Sequence, residues 1–363
     1  MGKSYSVYLP SYSIGPDCYK EIPAIVKRYG KTAVLVGGKT ALEKATAAIQ
    51  EGVAGSELEI IGSVWYGGNA TYENVDMLME NELVQKADMI FGVGGGRAAD
   101  CCKVLADKMG KPLFNFPTLA SNCASSTALC VMYKPDGSMA GYYYRPRCCD
   151  HIFINTQIIA EAPAKLFWAG IGDAMSKEFE VKLACRGVTL KHSPLMGLNI
   201  SGSCTSPLLD YGKQALQDCE NNVVSDAIQE VALDIIISTG IVSNLVISGT
   251  DYYYNASLAH CFYNSYTKLP QSHNHLHGEV VSFGVLVLLT CDERLEERDM
   301  LAKFHKDLGL PVTLAEMDIT PEDVEVILDD APHHLDWTKT PYEMTRERFK
   351  KAIFDMDAYG KSL

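Results

Sequence analysis

None of the 12 cysteines in this 363-residue sequence belongs to a Cys-x-x-Cys pair. Two pairs are adjacent instead, Cys101-Cys102 and Cys148-Cys149, which suits neither a zinc ribbon nor a secreted disulfide framework. The cysteines are therefore expected to be reduced core residues. The start, Met1-Gly2-Lys3-Ser4-Tyr5, lacks the basic head and apolar core of an export signal, so the expected location is cytoplasmic. Long apolar runs are scarce as well. The longest, around Ile235 to Val246, reads as too short and too polar to span a bilayer, and no membrane partner is expected. Dense basic runs are missing, and 32 Lys+Arg against 45 Asp+Glu leave a formal charge of −13, which argues against nucleic acid as a partner. A hydrophobic share of 47% with 21% charged residues marks a folded globular chain, and its length fits two domains of ordinary size.

The first 160 residues alternate short apolar β-type runs with helical patterns. Strands are predicted at 32–36, 58–64, 88–91, 113–116 and 151–155, an alternation that implies a parallel, helix-covered sheet. Residues 129–144 read instead as a hairpin around Lys134-Pro135-Asp136-Gly137. Beyond Glu161-Ala162-Pro163-Ala164 the chain reads as helices punctuated by prolines. The expected organisation is an α/β domain over residues 1–160 and an all-helical domain over 161–363, with a ligand cleft at the carboxyl ends of the parallel strands.

Two groups of residues carry chemistry. In Phe91-Gly92-Val93-Gly94-Gly95-Gly96-Arg97-Ala98-Ala99-Asp100 a strand feeds three glycines and then a helix. Glycines let backbone N–H groups approach a pyrophosphate, and the start of the helix favours its charge. Alone, the triplet fits a ligand-free tight turn equally well. The second group is scattered: Asp173 in Ala169-Gly170-Ile171-Gly172-Asp173, His260 in Ala259-His260, and His277 in His275-Leu276-His277-Gly278-Glu279. One carboxylate and two imidazoles form a three-donor set for a divalent ion, with positions left for water or substrate. Taken singly, each of these residues reads as a helix cap, a core histidine or a loop histidine.

Together with Pro117-Thr118-Leu119-Ala120-Ser121, these segments resemble the glycerol dehydrogenase branch of the iron-containing, or metal-dependent, alcohol dehydrogenase family, and among its members the hydroxycarboxylate dehydrogenases. The resemblance implies a dinucleotide-binding first domain, a helical second domain, and a homo-oligomer. It also implies a metal held by Asp173, His260 and His277. Gly94, Gly95 and Gly96 would hold the pyrophosphate, and Asp100, Thr118, Ser121 and Thr127 would complete the cofactor site. Members with four iron ligands carry a further histidine where this chain has Lys177, so three ligands and zinc are expected, although Fe²⁺ and Mn²⁺ suit the same donors.

Three departures shape the expected substrate. The family's polyol-binding aspartate is Cys123 in Ser121-Asn122-Cys123-Ala124, and a thiol cannot accept paired hydroxyl hydrogen bonds as a carboxylate does. Lys177, four residues after Asp173, falls on the same helical face, where an ammonium would favour an anion. A second histidine common in relatives is Tyr263, a candidate for proton transfer or for packing. The expected reaction is therefore interconversion of small 2-oxo acids and 2-hydroxy acids, with Lys177 and Cys123 facing the substrate. The alternative is oxidation of glycerol or a vicinal diol to a hydroxyketone. At Val36-Gly37-Gly38-Lys39-Thr40 no acidic residue follows the strand, and Lys39 and Thr40 leave room and charge for a 2′-phosphate. NADP(H) is thus expected to be preferred or tolerated, with NAD(H) also possible.

Overall fold

The computed structural model describes residues 5–249 and 251–363. The chain divides into two compact units, Met1–Ala164 with Gln217–Asn244, and Lys165–Leu216 with Leu245–Leu363.

In the first unit the apolar runs form strands β1 (Tyr12–Ile14), β2 (Thr32–Gly37), β3 (Glu59–Trp65), β4 (Met89–Val93), β5 (Leu113–Phe116) and β8 (His151–Ile154). They make one parallel sheet in the order β1-β8-β5-β4-β2-β3. β4, β5 and β8 are buried along their whole length, as expected of strands covered on both faces. Phe116 stacks on Phe153 and packs at a tilt against Phe91 across β4, β5 and β8, at centroid distances of 5.0 and 4.8 Å. The short β1, exposed or half-buried, has too few apolar residues to be predicted from the sequence. β6 (Leu129–Tyr133) and β7 (Met139–Tyr144) form the antiparallel hairpin expected around Pro135.

From β2 the chain passes to β3 on one side and then to β4 on the other. The crevice beyond the carboxyl ends of β2 and β4 is therefore the point at which the winding reverses, where open α/β sheets bind ligands. Helices Lys39–Val53 and Gly96–Met109 start at these two strand ends.

A linear division at residue 160 omits the return of Gln217–Asn244 to the first unit. Within this segment Asn244 Oδ1 accepts from the Ala128 amide at 2.9 Å, and Asn244 Nδ2 donates to the Ser126 carbonyl at 2.9 Å. Asp226–Val246 is one continuous helical run of 21 residues with mean hydropathy 1.3, longer than the sequence suggested and, by length and composition alone, sufficient to cross a membrane. Two-thirds of its most apolar window (67%) is buried inside the protein, which is how a core helix is used.

The second unit is built around helix His277–Cys291, in which every residue from Gly278 to Cys291 is buried. Helices Ala164–Ala174, Ser176–Cys185 and Leu258–Tyr266 carry the remaining site residues. A small hairpin, Ile247–Ser248 paired with Tyr252–Tyr253, interrupts the otherwise helical pattern.

Candidate active site

The glycines of the first unit meet at the crevice. A Cβ on Gly37 would lie 2.2 Å from the Val93 carbonyl oxygen, and Gly94 has φ +144°, a conformation that side chains rarely adopt. Gly38 and Gly95 cap the two helices without a side-chain hydrogen bond, so both helix starts offer amide donors to an anion. Lys39 and Thr40 are exposed in their helix's first turn, a turn without an acidic residue, and the Lys39 ammonium sits 4.7 Å from the centre of the Trp65 ring. The side chain of Asn122 fills the space beside Gly96, where a Cβ would fall 2.8 Å from its amide nitrogen. Asn122 was not singled out from the sequence.

The loop from Thr118 to Ala128 presents Ser121 and Cys123 half-buried and Thr118 buried. Asn115 Nδ2 donates to the Ser125 carbonyl at 2.6 Å, and Ser126 bonds the carbonyls of Cys123 and Ile236. Asp100 and Thr127 have a different task from the one expected. The Asp100 carboxylate is 2.8 Å from the buried Lys103 ammonium and accepts from the Val131 amide at 3.0 Å. Lys103 also donates to Thr127 Oγ1 at 3.2 Å and to the Leu129 carbonyl at 2.6 Å. Both residues tie the helix to β6, so a direct cofactor role does not fit their surroundings: a buried carboxylate is turned to the one ammonium that neutralises it.

In the second unit the three separated donors converge. Asp173 Oδ1 lies 3.0 Å from His277 Nε2 and 3.7 Å from His260 Nε2, and the three candidate donor atoms all fall within 4.8 Å of one another. Small residues beside each donor bring the helices this close. A Cβ on Gly278 would lie 1.8 Å from the Ala169 carbonyl oxygen, one on Gly172 2.5 Å from the Gly278 carbonyl oxygen, and one on Gly284 2.6 Å from the Ala259 carbonyl oxygen. Two imidazoles and a carboxylate at this spacing fit a divalent ion of the zinc, iron or manganese type, and three donors leave coordination positions for small ligands.

Opposite charges are coupled at this point. Burial pushes the Asp173 carboxyl up, but His277, His260 and Lys177 outweigh it and hold the group below its ordinary range. Burial lowers His260, yet Glu180 and Asp173 raise it to about 9. Glu180, fully buried, accepts the amides of Ser257 and His260 at 2.8 and 2.9 Å through Oε1, while Oε2 is 2.6 Å from His260 Nδ1. Glu279 plays a related part: it bonds His275 Nδ1 at 2.8 Å and the Leu276 amide at 2.9 Å at the start of the His277 helix. Neither glutamate was identified from the sequence. Tyr263 packs its ring at right angles to His277, with centroids 4.2 Å apart. Lys177 is buried on the helix that follows Asp173, and its ammonium donates to Asn255 Oδ1 at 2.8 Å and to the Asn255 carbonyl at 3.3 Å.

A glycine-lined switch point in a parallel sheet suits a dinucleotide, and a carboxylate–bis-imidazole cluster among helices suits a divalent ion, a pairing found in metal-dependent oxidoreductases. The chain belongs to the iron-containing alcohol dehydrogenase family: residues 10–156 match the family described as "Iron-containing alcohol dehydrogenase", and similarity to its members runs nearly end to end. Glycerol dehydrogenase of Escherichia coli O6:H1 is 31% identical over 96% of this chain and 95% of its own. Hydroxycarboxylate dehydrogenase A of Escherichia coli K12 is 30% identical over 88% of each chain. The crystal structure of glycerol dehydrogenase from Schizosaccharomyces pombe superposes with a TM-score of 0.87 at 25% identity, covering 99% of this chain and 92% of that one.

Proposed function

We propose that this protein is a metal-dependent, NAD(P)-linked dehydrogenase that interconverts glycerol or another small vicinal diol with its hydroxyketone. The convergence of Asp173, His260 and His277 carries this reading. Similarity to glycerol dehydrogenases over almost the whole chain supports the diol as substrate. This reverses the order of the two reactions expected from the sequence.

When bound, the ion supplies Lewis acidity towards a substrate oxygen and the dinucleotide supplies the hydride acceptor or donor. The residues present do the positioning. Asp173, His260 and His277 would hold the ion, for which zinc is expected. Gly37, Gly38, Gly94, Gly95 and Gly96 give the pyrophosphate access to backbone amides. Lys39 and Thr40 leave space and charge for a 2′-phosphate, which supports NADP(H) as a tolerated or preferred cofactor. Thr118 and Ser121 would complete the cofactor site, and Cys123, on the same loop, would face the substrate.

A second reading, interconversion of 2-oxo and 2-hydroxy acids, is favoured by two observations. Cys123 stands where the polyol-binding carboxylate is expected, and the buried Lys177 ammonium lies near the start of the helix that follows the one carrying Asp173. Hydride transfer followed at the nicotinamide absorbance separates the readings. Zinc-loaded protein would be given hydroxyacetone and dihydroxyacetone beside 2-oxobutanoate and 2-oxoglutarate, with NADPH and with NADH. Faster turnover of the neutral ketones, abolished by chelation, is expected. Preference for the oxo acids would establish the second reading, and activity that survives chelation would remove the metal from the account.

A further inference from the structure

We infer that Glu180 is a positioning residue that sets both the backbone and the ring of His260 for metal binding. The inference rests on the reading of Asp173, His260 and His277 as metal ligands. Glu180 is completely buried, and among the described residues its hydrogen bonds run to donors of the segment that carries His260. Oε1 accepts the amides of Ser257 and His260, at the start of helix Leu258–Tyr266, whose N-cap has no side-chain hydrogen bond of its own. One carboxylate oxygen thus satisfies helix-start donors that would otherwise be left without a partner.

The other oxygen faces His260 Nδ1 at 2.6 Å. A carboxylate can only accept, so the proton of the neutral ring resides on Nδ1 and the lone pair on Nε2. Nε2 is the nitrogen that points towards Asp173, at 3.7 Å. Glu180 therefore selects the tautomer and the ring orientation that present a lone pair to the ion, as outer carboxylates do for histidine ligands.

Glutamine is a demanding substitute here. With its oxygen towards the ring, its NH₂ group meets two backbone N–H donors. With its oxygen towards the amides, its NH₂ group faces Nδ1 and drives the proton to Nε2, which blocks the metal-facing nitrogen. Either arrangement costs metal affinity.

The test uses the full-length protein and the metal alone as probe. Co²⁺ and Zn²⁺ affinities would be measured by chelator competition, with the Co²⁺ d–d spectrum as a report of ligand geometry. Glu180→Gln is expected to weaken binding by about 10–100-fold and to change the spectrum. Against a His260→Ala background the same substitution is expected to add almost nothing, because its effect passes through His260. A purely structural role would instead give equal losses in both backgrounds, and that result would overturn the inference. Unchanged affinity and spectrum in Glu180→Gln would do so too. Should that variant fail to fold, Glu180→Asp retains the acceptor but retracts it. It is expected to give a smaller loss, and wild-type affinity would count against the role. Absence of Co²⁺ and Zn²⁺ binding in the wild-type protein would refute the metal reading itself, a result distinct from all of these.

Discussion

His305 is fully enclosed, and neither ring nitrogen has a hydrogen-bond partner among the described residues. Burial alone lowers the imidazole to about 3. In the unfolded chain the group titrates near its ordinary value of 6.5, so between these two values the unfolded state binds a proton that the folded state refuses. Stability from this residue is complete above about pH 6.5 and falls as the pH drops through that window, by roughly 1.4 kcal/mol per unit. His305→Leu removes the titration and also an unpaired buried polar group. Urea unfolding at a series of pH values is expected to show a shallower loss between pH 6.5 and 4.5 in the variant, with no loss at pH 7. Parallel profiles would show that the ring is not held neutral. This residue was illegible in the sequence, since a histidine among Lys303, Lys306 and Asp307 reads as part of a solvated face. His260 and His277 were legible only because neighbouring small residues completed a known pattern.

At the level of helices, the cluster depends on close backbone approach more than on the donors themselves. Helix His277–Cys291 meets helix Ala164–Ala174 at Gly278 and Gly172, each adjacent to a donor residue. A methyl group on Gly278 would fall 1.8 Å from the Ala169 carbonyl oxygen and 2.9 Å from the Asp173 amide nitrogen, so the helices must separate. Overpacking of this kind costs about 1–3 kcal/mol. Borne by the site, that strain corresponds to roughly tenfold to a hundredfold in metal affinity. Gly278→Ala is expected to bind Zn²⁺ more weakly by chelator competition while keeping a helical circular dichroism spectrum. Wild-type affinity would show that the helices yield elsewhere. The glycines were visible in the sequence, but their pairing across about a hundred residues belongs to tertiary packing. Glu180 had a readable signal that went unused. It lies three residues after Lys177 on helix Ser176–Cys185, and positions i and i+3 share a helical face.

For the whole molecule, the apolar runs pointed to the parallel sheet, because buried strands are written as contiguous apolar residues, but the strand order that sets the switch point is not written there. The pattern did not reveal that Gln217–Asn244 folds with the first unit, since helical periodicity carries no address for the partner surface. That return matters for stability. Asn244 bonds Ser126 and Ala128, Cys219 Sγ donates to the Ile159 carbonyl at 3.7 Å, and Ile228, Val231, Ile235 and Ile236 are fully buried. At about 1.5–3 kcal/mol for each buried aliphatic side chain, the segment contributes as much as the net stability of an ordinary domain, roughly 5–15 kcal/mol. Residues 1–164 expressed alone are therefore expected to lack a cooperative thermal transition and to bind NADPH poorly. The same residues joined by a flexible linker to 217–244 are expected to recover both, read by circular dichroism melting and by quenching of tryptophan fluorescence. The loop carrying Ser121 and Cys123 is the local reason, because the partners of Ser126 and Ala128 include Ile236 and Asn244 of the returning segment. A cooperative, NADPH-binding 1–164 fragment would mean that the sheet holds this loop unaided and that the later segment is merely attached to it.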